Sequence, residues 1–250
     1  MTKKSLGQNF LIDPRVADDL VKAAEITEKD IVLEVGAGTG AVTRPLAQKA
    51  RRVIAVEIDP KLTSQLQTNL KGLGNVEIIH ADILTLSPNH YTLATKIAGS
   101  IPYQITSPLI HKLLKLKNRP KSITFIIQKE VAEKITAQPP KASYLSNFIA
   151  NFGKAEIIRT IQPGAFHPSP KVDSAILKIT LYPKPFISDP GLEAFLHRGF
   201  AHPRKMIKHS LPAETLKKAR IDPHRRPATL TQEEWASLYR EIAKPAREAA

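Results

Sequence analysis

The 250-residue chain contains no cysteine, so it has neither disulfides nor thiolate metal sites. It has one tryptophan and two methionines, and no apolar run near the ~18–20 residues of a membrane span. The opening MTKKSLGQNFL lacks the apolar core of a signal peptide, which predicts a cytoplasmic location and no membrane partner. Acidic residues are also scarce, 23 against 37 Lys plus Arg, for a formal charge of +14. Such an excess points to a polyanionic partner, most often nucleic acid. It is spread along the chain: residues 184–250 hold 13 basic and 8 acidic residues, and the part before them is basic too. Apolar residues make up 42%, enough for a packed core and too many for a disordered chain.

Strand and helix patterns alternate from residue 13 onward. Asp13-Pro14 reads as a helix start, with Val16, Leu20, Val21 and Ala24 on one face. Ile31–Val35, Arg52–Glu57, Val76–His80, the run Thr95–Ala98 and Ile123–Ile127 read as strands. Helices are expected at 42–50, from Asp59-Pro60, from Ser107-Pro108 and at 129–136. This alternation predicts an α/β fold with a parallel sheet. Glu156–Ile161 and Ser174–Leu181, with no long helix between them, predict a closing antiparallel pair at the sheet edge. After Tyr182-Pro-Lys-Pro185 the character changes, which predicts a first domain over 1–183 and a small helical, basic domain over 184–250. Thr231-Gln-Glu-Glu234 is a capping box opening a last helix with Trp235, Leu238 and Ile242.

Gly36-x-Gly38-x-Gly40-Ala41 follows the first of these strands and opens a helix. Glycines there let a backbone approach a ligand where a Cβ would collide. The segment also satisfies G-x-G-x-x-A, a dinucleotide fingerprint. Glu57, seventeen residues past Gly40, can accept from ribose hydroxyls. To this point NAD and S-adenosylmethionine fit equally. Asp82, just past the third strand, is placed to accept from an adenine amino group. Together with Ser100-Ile101-Pro102-Tyr103 it favours S-adenosylmethionine and methyl transfer; no metal is called for.

That stretch is a polar residue, a spacer, a proline and an aromatic at a strand end, which suits a platform for a flat ring. It aims the Ser100 hydroxyl and the local backbone carbonyls one way while Tyr103 offers a π face.

Seven motifs occur in order: Gly7–Leu11, Leu33–Gly40, Ala55–Asp59, Ala81-Asp82, Ile101–Tyr103, Gln128–Glu133 and Phe166–Ser174. In these the chain resembles the ribosomal-RNA adenine N6,N6-dimethyltransferases, which modify two adjacent adenosines near the 3′ end of small-subunit (16S) rRNA. The resemblance implies a Rossmann-like S-adenosylmethionine-dependent methyltransferase sheet and a role in ribosome biogenesis. It further implies a pre-ribosomal 30S particle as partner and a monomeric enzyme. It places cofactor contacts on Asn9, Leu11, Gly36, Glu57, Asp82 and position 100, with Gly38 in the same loop. It also implies an adenine N6 as methyl acceptor, a poor nucleophile whose lone pair is delocalised. Ser100 and the Ile101 or Pro102 carbonyl would accept its amino hydrogens, with Tyr103 stacking on the unstacked base and Phe166 as a second face. Arg204 and Lys205, with Arg198, Lys208 and His209, resemble the family's rRNA-facing surface. The family motif is Asn-[Leu/Ile]-Pro-Tyr, so Ser100 is a departure, as is Gln104; whether Ser100 slows the second methylation is left open by the sequence. A sister family that methylates a large-subunit (23S) adenine and confers macrolide resistance shares the glycine loop. A non-catalytic assembly factor of the same fold is a further alternative.

Overall fold

The computed structural model describes residues 9–248. Strands and helices follow in the order β1 (Phe10–Leu11), α1 (Pro14–Ala23), β2 (Ile31–Val35), α2 (Thr43–Ala47), β3 (Arg52–Glu57), α3 (Pro60–Asn69), β4 (Val76–His80), β5 (Lys96–Ser100), α4 (Thr106–Leu114), β6 (Ser122–Gln128), α5 (Lys129–Thr136), α6 (Tyr144–Ala150), β7 (Gly153–Ile161), β8 (Phe166–His167), β9 (Ser174–Leu181), α7 (Leu192–Gly199), α8 (Ala213–Lys218) and α9 (Gln232–Glu248). Gly7 and Gln8 of the first motif lie outside the described residues.

Seven strands form one sheet in the order β4-β3-β2-β5-β6-β9-β7. The first five are mutually parallel, and β9 runs antiparallel to β6 over Ser122↔Thr180 to Gln128↔Ser174. The closing strands thus sit at the edge expected of them. β2, β3 and β6 are buried along nearly their whole length, as strands covered on both faces must be. From β2 the chain runs outward to β3 and β4, then returns to β5 on the other side of β2. Ligands of open α/β sheets bind at such a switch point, above the carboxyl ends of the strands.

The helix starts follow their local chemistry. Asp13 and Asp59 each cap a helix whose first residue is proline, accepting from Arg15 N–H at 3.0 Å and Lys61 N–H at 2.8 Å. α2 is shorter than the 42–50 expected. After Ala47 the chain turns back so that Arg51 N–H reaches the Asp30 carbonyl at 2.9 Å and feeds β3.

The chain divides into two compact units, and the division differs from the single cut after residue 183. One unit runs to Ala132 and resumes over Glu156–Leu181; the other is Glu133–Ala155 with Tyr182 onward. The reason is α6, which the sequence reading passed over. Its capping box is Ser143 with Ser146 in place of a glutamate, at 2.8 and 3.0 Å. Asn151, wholly buried after α6, exchanges two hydrogen bonds with Ile187, at 3.0 and 2.9 Å, tying this excursion to the later chain. In the same unit Trp235 packs on Phe195 and Phe200 with centroids 5.8 and 5.2 Å apart. The Thr231–Glu234 capping box forms as expected, at 2.8 and 3.3 Å. Among the described residues no helix is long and apolar enough to cross a membrane.

Candidate cofactor and base pocket

β2 delivers the chain into Gly36, whose φ of +72° favours glycine. Gly36 and Ala37 N–H both donate to the Val56 carbonyl, at 3.0 and 3.2 Å, which fastens the loop to the end of β3. A Cβ on Gly36 would stand 3.1 Å from the Ser100 carbonyl, so this loop and the Ser100 stretch meet closely. Glu57, buried at the end of β3, accepts from Gly38 N–H at 2.8 Å through Oε2. Its Oε1 accepts from Ile58 and Asp59 N–H, each at 3.0 Å. Three of roughly four acceptor sites on the carboxylate are thereby filled by backbone. One site on Oε2 remains for a ribose hydroxyl, narrower than the two contacts the sequence suggests.

Beyond β4, Asp82 heads a tight turn. Its Oδ1 accepts from Leu84 N–H at 2.8 Å, and its backbone carbonyl takes Thr85 and Leu86 N–H at 3.1 and 2.8 Å. Among the described residues no hydrogen bond engages the second carboxylate oxygen.

β5 reaches its carboxyl end through Gly99, with φ +155° and the site of a Cβ only 2.2 Å from the Val35 carbonyl. Any side chain there would push β5 off β2 just before Ser100. Proline holds the next stretch extended, with Pro102 at φ −56° and ψ 135°, and Tyr103 opens a short 3-10 turn. Ile105 N–H donates to the Pro102 carbonyl at 3.2 Å, a turn in which the Ile101 carbonyl takes no part. The Tyr103 hydroxyl lies 2.8 Å from Ser174 Oγ, at the buried start of β9.

Asn9, Leu11, Gly36, Gly38, Glu57, Asp82, Ser100, Ile101, Pro102, Tyr103 and Phe166 all line one cavity of about 530 Å³. Phe166 does so from within the core. It pairs with Leu11 across β1 and β8 and is only 4% exposed, so it forms a largely buried wall of the cavity. The cavity also takes in residues the sequence reading left unassigned. Phe10 places its ring 3.7 Å from where a Gly38 Cβ would stand, covering the glycine loop. Glu34 is fully buried beneath the loop, and its Oε2 has no hydrogen-bond partner. Burial pushes its carboxyl up to about 8, with the Glu57 carboxylate adding to the effect. Its only signal was an acid inside the apolar strand Ile31–Val35.

Arg204 and Lys205 belong to the second unit and do not line this cavity. Both are exposed, and Lys205 N–H closes a turn on the His202 carbonyl at 2.9 Å. The stretch is a turn and a short 3-10 segment, Ile207–His209, and not a helix face. Ile207 anchors it in the core and donates to the Arg225 carbonyl at 2.7 Å. Arg225 itself is taken up by structure, donating to Glu234 at 2.5 and 3.0 Å and to the Thr229 carbonyl.

The arrangement suits S-adenosylmethionine: carboxylates with room for further hydrogen bonds at one end, a glycine loop packed closely on Ser100, and an aromatic ring beside it. A family model described as Ribosomal RNA adenine dimethylase matches residues 1–244. The chain belongs to the ribosomal RNA adenine dimethylase family. It is 37% identical over 252 residues to the Ribosomal RNA small subunit methyltransferase A of Clostridium botulinum (strain Loch Maree), covering 94% of this chain and 92% of that protein. Two solved structures share the fold across most of the chain. A dimethyladenosine transferase from Plasmodium falciparum superimposes with a TM-score of 0.85 at 25% identity, covering 95% of this chain and 98% of the other. The 23S rRNA methyltransferase ErmE gives 0.76 at 29% identity, covering 94% and 99%.

Proposed function

We propose that the protein methylates adenine N6 in small-subunit rRNA, twice per nitrogen, at two adjacent adenosines near the 3′ end. The observation that carries this reading is the Tyr103–Ser174 hydrogen bond, which fixes an aromatic ring beside Ser100 in the cavity that also presents Glu57 and Asp82. The small-subunit target is supported by relatives of that name at 36–37% identity over most of the chain. We take the substrate to be a pre-ribosomal small-subunit particle, met by a monomeric enzyme in the cytoplasm.

S-adenosylmethionine supplies an electrophilic methyl group on a cationic sulfur. Glu57 would hold its ribose and Asp82 its adenine amino group, with Asn9, Leu11, Gly36 and Gly38 lining the path between. The target adenine stacks on Tyr103 once it has left its helix. The Ile101 carbonyl and Ser100 Oγ accept from the two N6 hydrogens, leaving more electron density on nitrogen. The Pro102 carbonyl, already engaged by Ile105, is the poorer acceptor. Positive charge passes to N6 as the methyl arrives, which makes the N6 proton acidic enough to be lost to water, so no strong base is needed; most of the acceleration is positional and electrostatic. A serine hydroxyl reaches less far than an amide, so the second transfer, to a bulkier amine, is the slower one. Arg204 and Lys205 contact RNA phosphates.

Label transfer from methyl-labelled cofactor to unmodified small and large subunits tests the reading. Small subunits should take up label and large subunits none; label in large subunits would favour the ErmE-like alternative. Cofactor binding without transfer to either would favour a non-catalytic assembly factor.

A further inference from the structure

The turn that carries Asp82 is held from outside by one cation. Lys112, in α4, donates from Nζ to the carbonyls of Ile83, Leu84 and Leu86 at 2.8, 2.9 and 2.7 Å. An ammonium has three protons, and here all three are used on three carbonyls within four residues. The same turn is closed from inside by Asp82, whose side chain and backbone accept from Leu84, Thr85 and Leu86. Its amides therefore point at the aspartate and its carbonyls at the lysine. The buried Tyr91 ring lies 5.9 Å from Nζ and walls the cation on another side. Burial costs Lys112 part of its proton affinity, which the Asp82 carboxylate partly restores.

A lysine that saturates three carbonyls does more than cover surface. α4 starts at Thr106, directly after the 3-10 turn Tyr103–Ile105, so Lys112 joins the helix that continues from the Ser100–Tyr103 stretch to the turn bearing Asp82. Without it the three carbonyls would have to find water, and the turn that places Asp82 in the cavity wall would lose its outer constraint.

We propose that Lys112 is the positioning residue for adenine recognition in the cofactor, acting through Asp82. This rests on the S-adenosylmethionine reading of the pocket. A planar guanidinium cannot aim three donors at one small turn as an ammonium does, so arginine is a poor replacement.

The test compares wild type, Lys112→Met, Lys112→Arg, Asp82→Ala and the Lys112→Met/Asp82→Ala pair in the full-length protein. Calorimetry gives Kd for S-adenosylmethionine and for an analogue whose 6-amino group is replaced by hydrogen; steady-state kinetics on small subunits follow. Lys112→Met should raise Kd and KM for the cofactor 10- to 100-fold, leave kcat at saturating cofactor within about threefold, and leave KM for the particle unchanged. Its preference for the 6-amino cofactor should fall toward 1, as in Asp82→Ala. Lys112→Arg should recover only part of the affinity. The double variant should bind little worse than Asp82→Ala alone, because both changes remove one interaction. Unchanged cofactor affinity and base preference in Lys112→Met would overturn the proposal. So would equal losses in kcat and both KM values, or full additivity with Asp82→Ala. No cofactor binding by wild type would instead overturn the methyltransferase reading, and this proposal with it.

Discussion

The Tyr103 and Ser174 hydroxyls lie 2.8 Å apart, joining the base platform after β5 to the first residue of β9, 71 positions away. The ring is therefore set by the sheet and not by its own loop. Tyr103→Phe keeps the ring and loses the tether; kcat on small subunits should fall about 3- to 10-fold, the equivalent of roughly 1 kcal/mol. Tyr103→Ala removes the stacking surface and should cost at least 100-fold. Ser174→Ala should resemble Tyr103→Phe, and the two together should be no worse than either.

Ser100 gives a sharper contrast. Ser100→Ala removes an acceptor and should slow methylation by about 1–3 kcal/mol, with the second methyl hit harder. Ser100→Asn restores the longer family side chain and should shorten the lag between mono- and dimethyladenosine in a time course. If Ser100→Ala matched wild type at both steps, the hydroxyl would have no catalytic role.

Gly99→Ala is expected to fail for a steric reason. Its Cβ would fall 2.2 Å from the Val35 carbonyl, between two paired strands that have nowhere to move. A stability loss above about 3 kcal/mol is expected, read as a lowered Tm or as insoluble protein.

Glu34 makes stability depend on pH. Its carboxyl sits at about 8 in the fold against 4.5 ordinarily. Between those values the folded chain holds a proton that the unfolded chain has lost, so stability falls as pH rises through that window and levels off above 8. The loss should total about 3–5 kcal/mol. Glu34→Gln removes the slope: its Tm should draw ahead of wild type as pH goes from 5 to 8. A constant difference in Tm would contradict the assignment.

Among the basic residues, Arg204 and Lys205 should separate cleanly from Arg225. Arg204→Ala/Lys205→Ala should leave Tm unchanged and flatten the salt dependence of RNA binding by about 1.5 in the log–log slope. Arg225→Met breaks the bonds to Glu234 and Thr229, and should lower Tm.

These contrasts also mark how far the sequence could be read. The glycine loop, Glu57 and Asp82 were legible because each follows a short apolar strand, and parallel strands bring their carboxyl ends to one edge. The Ser100–Tyr103 stretch was legible for the same reason. What stayed hidden depends on long-range contact: Ser174 holding Tyr103, or Lys112 reaching back to Ile83, Leu84 and Leu86. That Phe166 reaches the cavity from within the core was hidden as well, because aromaticity is visible in sequence and burial is not. The Glu133–Ala155 excursion was missed because a Ser–Ser capping box is a weaker signal than the Thr231–Glu234 one.

The central claim is most directly tested by mass spectrometry of rRNA from unmodified small subunits after incubation with S-adenosylmethionine and this protein. The account predicts N6,N6-dimethyladenosine at two adjacent positions near the 3′ end and nowhere else. Methylation confined to a different site, or to an atom other than N6, would contradict it.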